Sequence, residues 1–149
     1  MTRPAAILLL TDLAREYNVE APLFIEHSPL KSGINADVTR PLVKSDTGRF
    51  FRDGVRMAKS ETGSVVSFSN KLWDKSEREI MAILVHEFAH VLQYSRMNNS
   101  ELKSLRMTPA TKEMKAVTSY HANYLEGEAE LFTYNKLGYC AHGYIKNRY

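Results

Sequence analysis

The sequence predicts an α+β protein with an N-terminal helix, a small antiparallel sheet and two longer helices in the second half. Three observations carry that reading. An apolar stripe at helical spacing lies near the N-terminus, residues 64–70 alternate between apolar and polar, and helical periodicity flanks a polar, broken stretch from Met97 to Lys115. A length of 149 residues matches one domain, residues 1–149.

Composition narrows the function classes. A chain with 44% hydrophobic and 25% charged residues reads as an ordinary globular protein. The net charge is only +3, without a dense Lys/Arg stripe, so no nucleic-acid partner is expected. Cys140 is the only cysteine, which excludes an internally disulfide-bonded secreted scaffold. The apolar run Ala5 to Leu10 is cut off by Thr11 and Asp12, too early for a signal peptide, and no run is long enough to span a membrane. The expected setting is cytoplasmic, with no membrane partner.

Taken in order, Pro4 to Tyr17 reads as a helix, with Pro4 in the first turn and Ile7, Leu8, Leu10, Leu13 and Ala14 as its stripe. Pro22 and Pro29 bracket a short strand, Leu23-Phe24-Ile25; His27 nearby reads as an ordinary loop histidine. Lys31 to Thr47, with Gly33, Asn35, Asp37, Pro41 and Asp46, reads as turn and loop. Arg49 to Lys59 looks extended, and Ser60-Glu61-Thr62-Gly63 would turn it into a second strand, Ser64 to Asn70. Met97 to Lys115 reads as a surface loop with at most one short helical turn. A helix starting at about Lys112 or Thr118 should run to Leu137, with Gly138 just past its end. In the tail, Cys140 and His142 read as surface or packing residues.

The stretch that carries chemistry is Ile83-Leu84-Val85-His86-Glu87-Phe88-Ala89-His90-Val91-Leu92, an HExxH in an apolar frame. Ser76 and Glu79 stand at capping-box spacing ahead of it. The apolar residues from Ile80 to Leu92 cover most of the circumference, which predicts a buried helix. Its remaining arc holds Glu79, Ala82, His86, His90 and Gln93. On a helix, residues four apart lie on one face, so His86 and His90 can aim ring nitrogens at one point. Buried imidazoles need partners, and one zinc ion per chain would serve both. Glu87, adjacent to the first histidine, can act as a base without being a ligand; the pattern is that of zinc metalloproteases.

Catalytic zinc usually takes three protein ligands plus water. The second long helix is the best source of the third. At 100° per residue, Glu126 and Glu130 share a face with Ser119, Ala122, Asn123, Ala129 and Thr133, small or polar residues that permit close approach. Glu126 is the favoured ligand, with Glu130 one turn on to accept a proton from a histidine ring. Glu128, on the opposite side, and a histidine, His121 or His142, remain alternatives. A histidine ligand would move the site towards the SprT-like proteases.

With those residues in place, the sequence resembles the gluzincin metallopeptidases over about Val65 to Leu137. Their pattern is an HExxH followed by a helix bearing Glu-x-x-x-Asp, and here Glu130 stands where Asp or Asn is usual. The compact single-domain members are the nearest likeness, namely the minimal gluzincins and the anti-repressor peptidases of mobile elements. The resemblance implies a zincin-like single domain and a zinc-dependent endopeptidase acting on peptide or protein substrates. In that mechanism a zinc-activated water attacks the scissile carbonyl, with Glu87 as general base. Donors for the oxyanion would come from Tyr120, Tyr124, Tyr134, Tyr139 or His121, all near the second helix. The competing functions are a non-catalytic zinc-binding regulatory module and a zinc amidase acting on a non-protein substrate.

Overall fold

Thr2 accepts a hydrogen bond from the Ala5 N–H, at 3.3 Å, and opens the first helix, α1 (Arg3–Glu16). Pro4 sits in its first turn, and Ala6, Leu10, Leu13 and Ala14 form its buried stripe. The helix stops where Asn18 takes a positive φ of 55°, a conformation that asparagine tolerates better than most side chains. These features come from a computed structural model that describes residues 1–25, 34–39, 43–44, 50–52, 55–57, 64–119 and 122–142.

The chain divides into two compact units, Met1–Ile80 and Met81–Tyr149. The first is α+β. Besides α1 it holds six strands, β1 (Leu23–Ile25), β2 (Ala36–Thr39), β3 (Val43–Lys44), β4 (Phe50–Arg52), β5 (Val55–Met57) and β6 (Val65–Phe68). They form two three-stranded sheets, in the orders β1-β6-β2 and β3-β4-β5. Strand β6 is the centre of the first sheet and is buried along its whole length. It runs parallel to β1, with Phe24 opposite Val66, and antiparallel to β2, with Val38 opposite Val66. The rings of Phe24 and Phe68 stack with centroids 5.9 Å apart, and Trp73 tilts against Phe68 at 5.3 Å.

Strand β1 matches the segment expected between the two prolines. The hairpin expected between residues 49–59 and 64–70 does not form. Residues 50–57 hold two strands, β4 and β5, which pair with each other, Phe51 opposite Arg56. Strand β6 instead pairs with β1 and β2, so the sheet at the centre of this unit is mixed rather than antiparallel. A parallel partner from forty residues upstream carries no turn signal, so local reading favours the adjacent segment. The region expected to be loop from Lys31 to Thr47 contributes β2 and β3. Residues 26–33 and 58–63, with His27 and the expected turn at 60–63, lie outside the described residues.

A short 3-10 turn, Asn70–Asp74, leads into the long helix α2 (Glu77–Arg96). Ser76 caps it: its hydroxyl oxygen accepts from the Glu79 N–H at 3.2 Å and also donates to the Glu79 carboxylate at 3.0 Å. From Ala82 to Gln93 every residue of α2 is buried, as its apolar circumference predicts.

Among its described residues the second unit holds, besides most of α2, the helices α3 (Asn99–Arg106), α4 (Lys112–Val117) and α5 (Tyr124–Leu137). Two corrections follow. The expected loop from Met97 to Lys115 contains α3, closed by a reciprocal cap between Asn98 and Glu101, and most of α4. The expected helix from about Lys112 or Thr118 to Leu137 is interrupted, because Thr118 is extended, with φ −145° and ψ 148°. Helix α5 restarts only at Tyr124, where the Asn123 side chain accepts from the Glu126 N–H at 3.0 Å. Gly127 allows α4 and the residues before it to lie close against α5. A Cβ there would stand 2.8 Å from Met114 Sδ and 3.1 Å from Ala110 Cβ. At the far end Gly138, with φ +83°, turns the chain back. Among the described residues, no helix is long and apolar enough to cross a membrane.

Candidate metal centre

His86 and His90 stand one turn apart on α2, with ring centroids 4.9 Å apart and the rings nearly perpendicular. Both are buried, at 2% and 9% exposure. Their Nε2 atoms converge on one carboxylate from the first turn of α5. Glu126 Oε2 lies 3.0 Å from His86 Nε2, and Glu126 Oε1 lies 3.2 Å from His90 Nε2. One ligand atom from each of the three lies within 4.8 Å of the other two. Nitrogen and oxygen ligands of a tetrahedral zinc, each at about 2.0–2.1 Å, are about 3.3 Å from one another. The donor set and its spacing therefore fit a metal ion held by His86, His90 and Glu126. The Asn123 cap places Glu126 in this first turn, where the helix N-terminus favours a carboxylate.

Each imidazole is held from behind at Nδ1. For His86 the partner is Glu130 Oε1, at 2.6 Å. For His90 it is Gln93 Oε1, at 2.7 Å. Glu130 is fully buried and gathers several donors. Its Oε2 accepts the His142 backbone N–H at 3.1 Å, and His142 Nδ1 lies 3.4 Å from its Oε1. The Thr118 hydroxyl lies 3.1 Å from Glu130 Oε2 and 2.8 Å from the His142 carbonyl, so its single proton serves one of them at a time. The extended backbone at Thr118 places its side chain here, which is what the break before α5 achieves.

The electrostatics follow from these contacts. Burial alone would strip His86 of its proton, but hydrogen bonds to Glu126 and Glu130, with the charge of Glu87, raise its pKa from 6.5 to about 10. His90 moves the same way: burial opposes the proton, while the bond to Glu126 and the charge of Glu87 favour it. Burial works against ionised Glu126, but its bonds to the two rings hold its pKa far below the carboxylate range. Glu130 is likewise buried, yet its bonds to His142 and His86 bring it down to about 2.

Glu87, 7% exposed, is charged close enough to act on both histidines. Glu128 is not at this centre. It accepts from Gln93 Nε2 at 3.0 Å and pairs with the Tyr124 hydroxyl, whose pKa its charge raises. Tyr124 is therefore joined to Glu128, while Tyr134 stands two turns of α5 beyond Glu126, roughly 12 Å along the axis. Tyr139 follows the turn at Gly138. Tyr120 and His121 lie outside the described residues.

Three residues at this site carry little local signal. Gln93 lies on the histidine arc of α2, at a spacing of three from His90, but nothing local assigns its amide to that ring. Thr118 falls at or inside the start expected for the second long helix, and His142 reads as a surface or packing residue of the tail. Because the chain reverses at Gly138, its ring instead reaches Glu130 and packs edge-on against His86, with centroids 5.2 Å apart. His86, Glu130 and His142 thus form a second group that could hold an ion. Its His86 Nδ1 and Glu130 Oε1 stand 2.6 Å apart, a hydrogen-bond distance well below the spacing of two zinc ligands, so the group with Glu126 fits a metal better. Cys140 is buried and packs there, its thiol facing the carbonyls of Val117 and Glu130; burial and the Glu130 charge push it up to about 12, which leaves it inert.

No family model, no curated protein and no solved structure matches this chain.

Proposed function

We propose that the chain is a zinc-dependent metallopeptidase of the small gluzincin type with a zincin-like fold. Its metal ligands are His86, His90 and Glu126. The observation that supports this reading is the convergence of both Nε2 atoms on the Glu126 carboxylate, at 3.0 and 3.2 Å. A zinc ion, when bound there, supplies Lewis acidity for a peptide carbonyl and lowers the pKa of water.

The chain's own residues do the rest. Glu87 takes a proton from the attacking water and delivers it to the departing amine. Its burial beside two histidines keeps bulk water from competing for that proton. Glu130 and Gln93, as acceptors at Nδ1, keep each ring's Nε2 facing Glu126. A structural metal site has no use for a carboxylate base beside its histidines, which favours a hydrolase over a non-catalytic zinc module. The substrate in this reading is a peptide or protein. The setting in this reading is cytoplasmic.

The test is a comparison of cells expressing the wild-type chain and Glu87→Gln, with cleaved proteins identified by mass spectrometry. New peptide termini should appear only with the wild type. Identical terminus profiles would remove the peptidase reading, and hydrolysis of a non-protein amide by the wild type alone would favour the amidase instead.

A further inference from the structure

We propose that Gln93 is the positioning residue for His90: its amide, locked by Leu125 and Glu128, holds His90 in the one tautomer whose Nε2 is open to a metal. The proposal rests on the reading of His90 as a metal ligand. A neutral imidazole has one N–H and one lone pair, and whatever faces Nδ1 decides which of them Nε2 carries. Glu130, facing His86, is a carboxylate and can only accept. A glutamine is ambivalent, because either its oxygen or its NH2 can face the ring. The two orientations impose opposite tautomers.

Here the choice is made by α5. Gln93 Nε2 lies 3.0 Å from the Leu125 carbonyl and 3.0 Å from Glu128 Oε1. Both are acceptors, so turning the amide over would set its oxygen against two other oxygens and lose both bonds. Oε1 therefore faces His90, at 2.7 Å, so Nδ1 must carry a proton and a neutral ring keeps its lone pair on Nε2. His90 Nε2 is left towards Glu126 Oε1, at 3.2 Å. Gln93 is only 3% exposed, and its bonds to His90 and to the Leu125 carbonyl are buried away from water. The arrangement gives Glu128 a role although it lies off the metal: it sets the orientation of the amide that sets the ring. Gln93 and Glu128 also border a groove of about 380 Å³ lined by Leu92, Met97 and Phe132, so side chains of similar length can be exchanged there without overpacking.

The test compares the full chain with Gln93→Met, Gln93→Glu and the double variant Gln93→Glu/Glu128→Gln. Zinc affinity is measured by competition with a chelator at neutral pH, and the His90 ring protons by long-range proton–nitrogen NMR on the zinc-loaded protein. Gln93→Met removes the acceptor, so zinc affinity should fall about 10–100-fold and the ordered His90 Hδ1 signal should be lost. Gln93→Glu alone places two carboxylates face to face and should also bind zinc more weakly than wild type. The double variant repairs one of the two lost contacts: a carboxylate accepts from His90 and an amide at 128 donates to it, while the Leu125 carbonyl loses its donor. It should bind zinc more tightly than Gln93→Glu and show the Hδ1 signal. Wild-type affinity and an intact Hδ1 signal in Gln93→Met would overturn the proposal, as would a folded double variant that binds zinc no better than Gln93→Glu. A wild-type chain that binds no zinc would overturn the metal centre itself, and that result is visible before any Gln93 variant is made.

Discussion

His86 Nδ1 and Glu130 Oε1 lie 2.6 Å apart, although 44 residues separate them in the chain. Both side chains are almost wholly buried, so the pair joins α2 to α5 where water cannot compete. Removing one member of such a pair is costly because the other is left buried and unpaired. Glu130→Ala would strand the His86 ring N–H and the His142 backbone N–H together. We expect a loss of roughly 3–5 kcal/mol in the unfolding free energy of the metal-free protein. Urea denaturation measures it directly, and a loss below about 1 kcal/mol would show that the pair does not hold the helices together.

The third ligand has its own test. Glu126→Ala should lower zinc affinity by an order of magnitude or more, since it takes away the carboxylate that meets both Nε2 atoms. Glu128→Ala should have a smaller effect, because it disturbs only the amide behind His90. Chelator competition on the two variants gives the ranking, and the reverse order would mean that α5 presents its other face to the histidines.

Glu87→Gln should leave zinc content and folding unchanged while abolishing turnover. A general base contributes typically about 10²–10⁴-fold, so a residual rate at or below that fraction is expected. Metal analysis and a cleavage assay on the same preparation separate the two effects.

Stability of the metal-free protein should have a maximum in mildly acidic solution. The His86 pKa rises from 6.5 unfolded to about 10 folded, so its stabilising effect is complete below about 6.5 and disappears as pH rises towards 10. Glu126 and Glu130 are shifted down from 4.5, so their effect is complete above about 4.5 and is lost as pH falls further. Zinc requires neutral rings and gains on protons as pH rises. The difference in Tm between zinc-loaded and metal-free protein should therefore widen from pH 6.5 towards 10. Thermal scans with and without chelator would reveal a constant or shrinking difference if the histidines are not the ligands.

Gly127→Ala tests the close approach of the helices in the second unit. Helix propensity alone would favour alanine by up to about 1 kcal/mol. The added Cβ would stand 3.1 Å from Ala110 Cβ as well as 2.8 Å from Met114 Sδ, and overpacking of this kind costs about 1–3 kcal/mol. A net destabilisation is expected, read as a lower Tm. A stabilised variant would mean that Ala110 and Met114 move aside freely.

The features legible in the residues alone are local. Periodicity gave the buried α2, Ser76 its start and the spacing of four the shared face of His86 and His90, because helix geometry repeats within a turn. Pro22 stands just before β1, and Gly138 ends α5, since each restricts or frees its own backbone. Even some local signals were outweighed by polarity: the cap at Asn98 and Glu101 announces α3, yet the surrounding lysines and asparagines read as loop. The long-range features come from packing. Strand β6 pairs with β1 rather than with the nearer extended segment, and the reversal at Gly138 carries His142 back to Glu130. The orientation of the Gln93 amide depends on two acceptors from α5, and the point where Glu126 meets both rings lies 36 and 40 residues from them. Residue spacing encodes angles within one helix. Distances between helices are set by how their side chains pack, and no spacing within a segment carries that information.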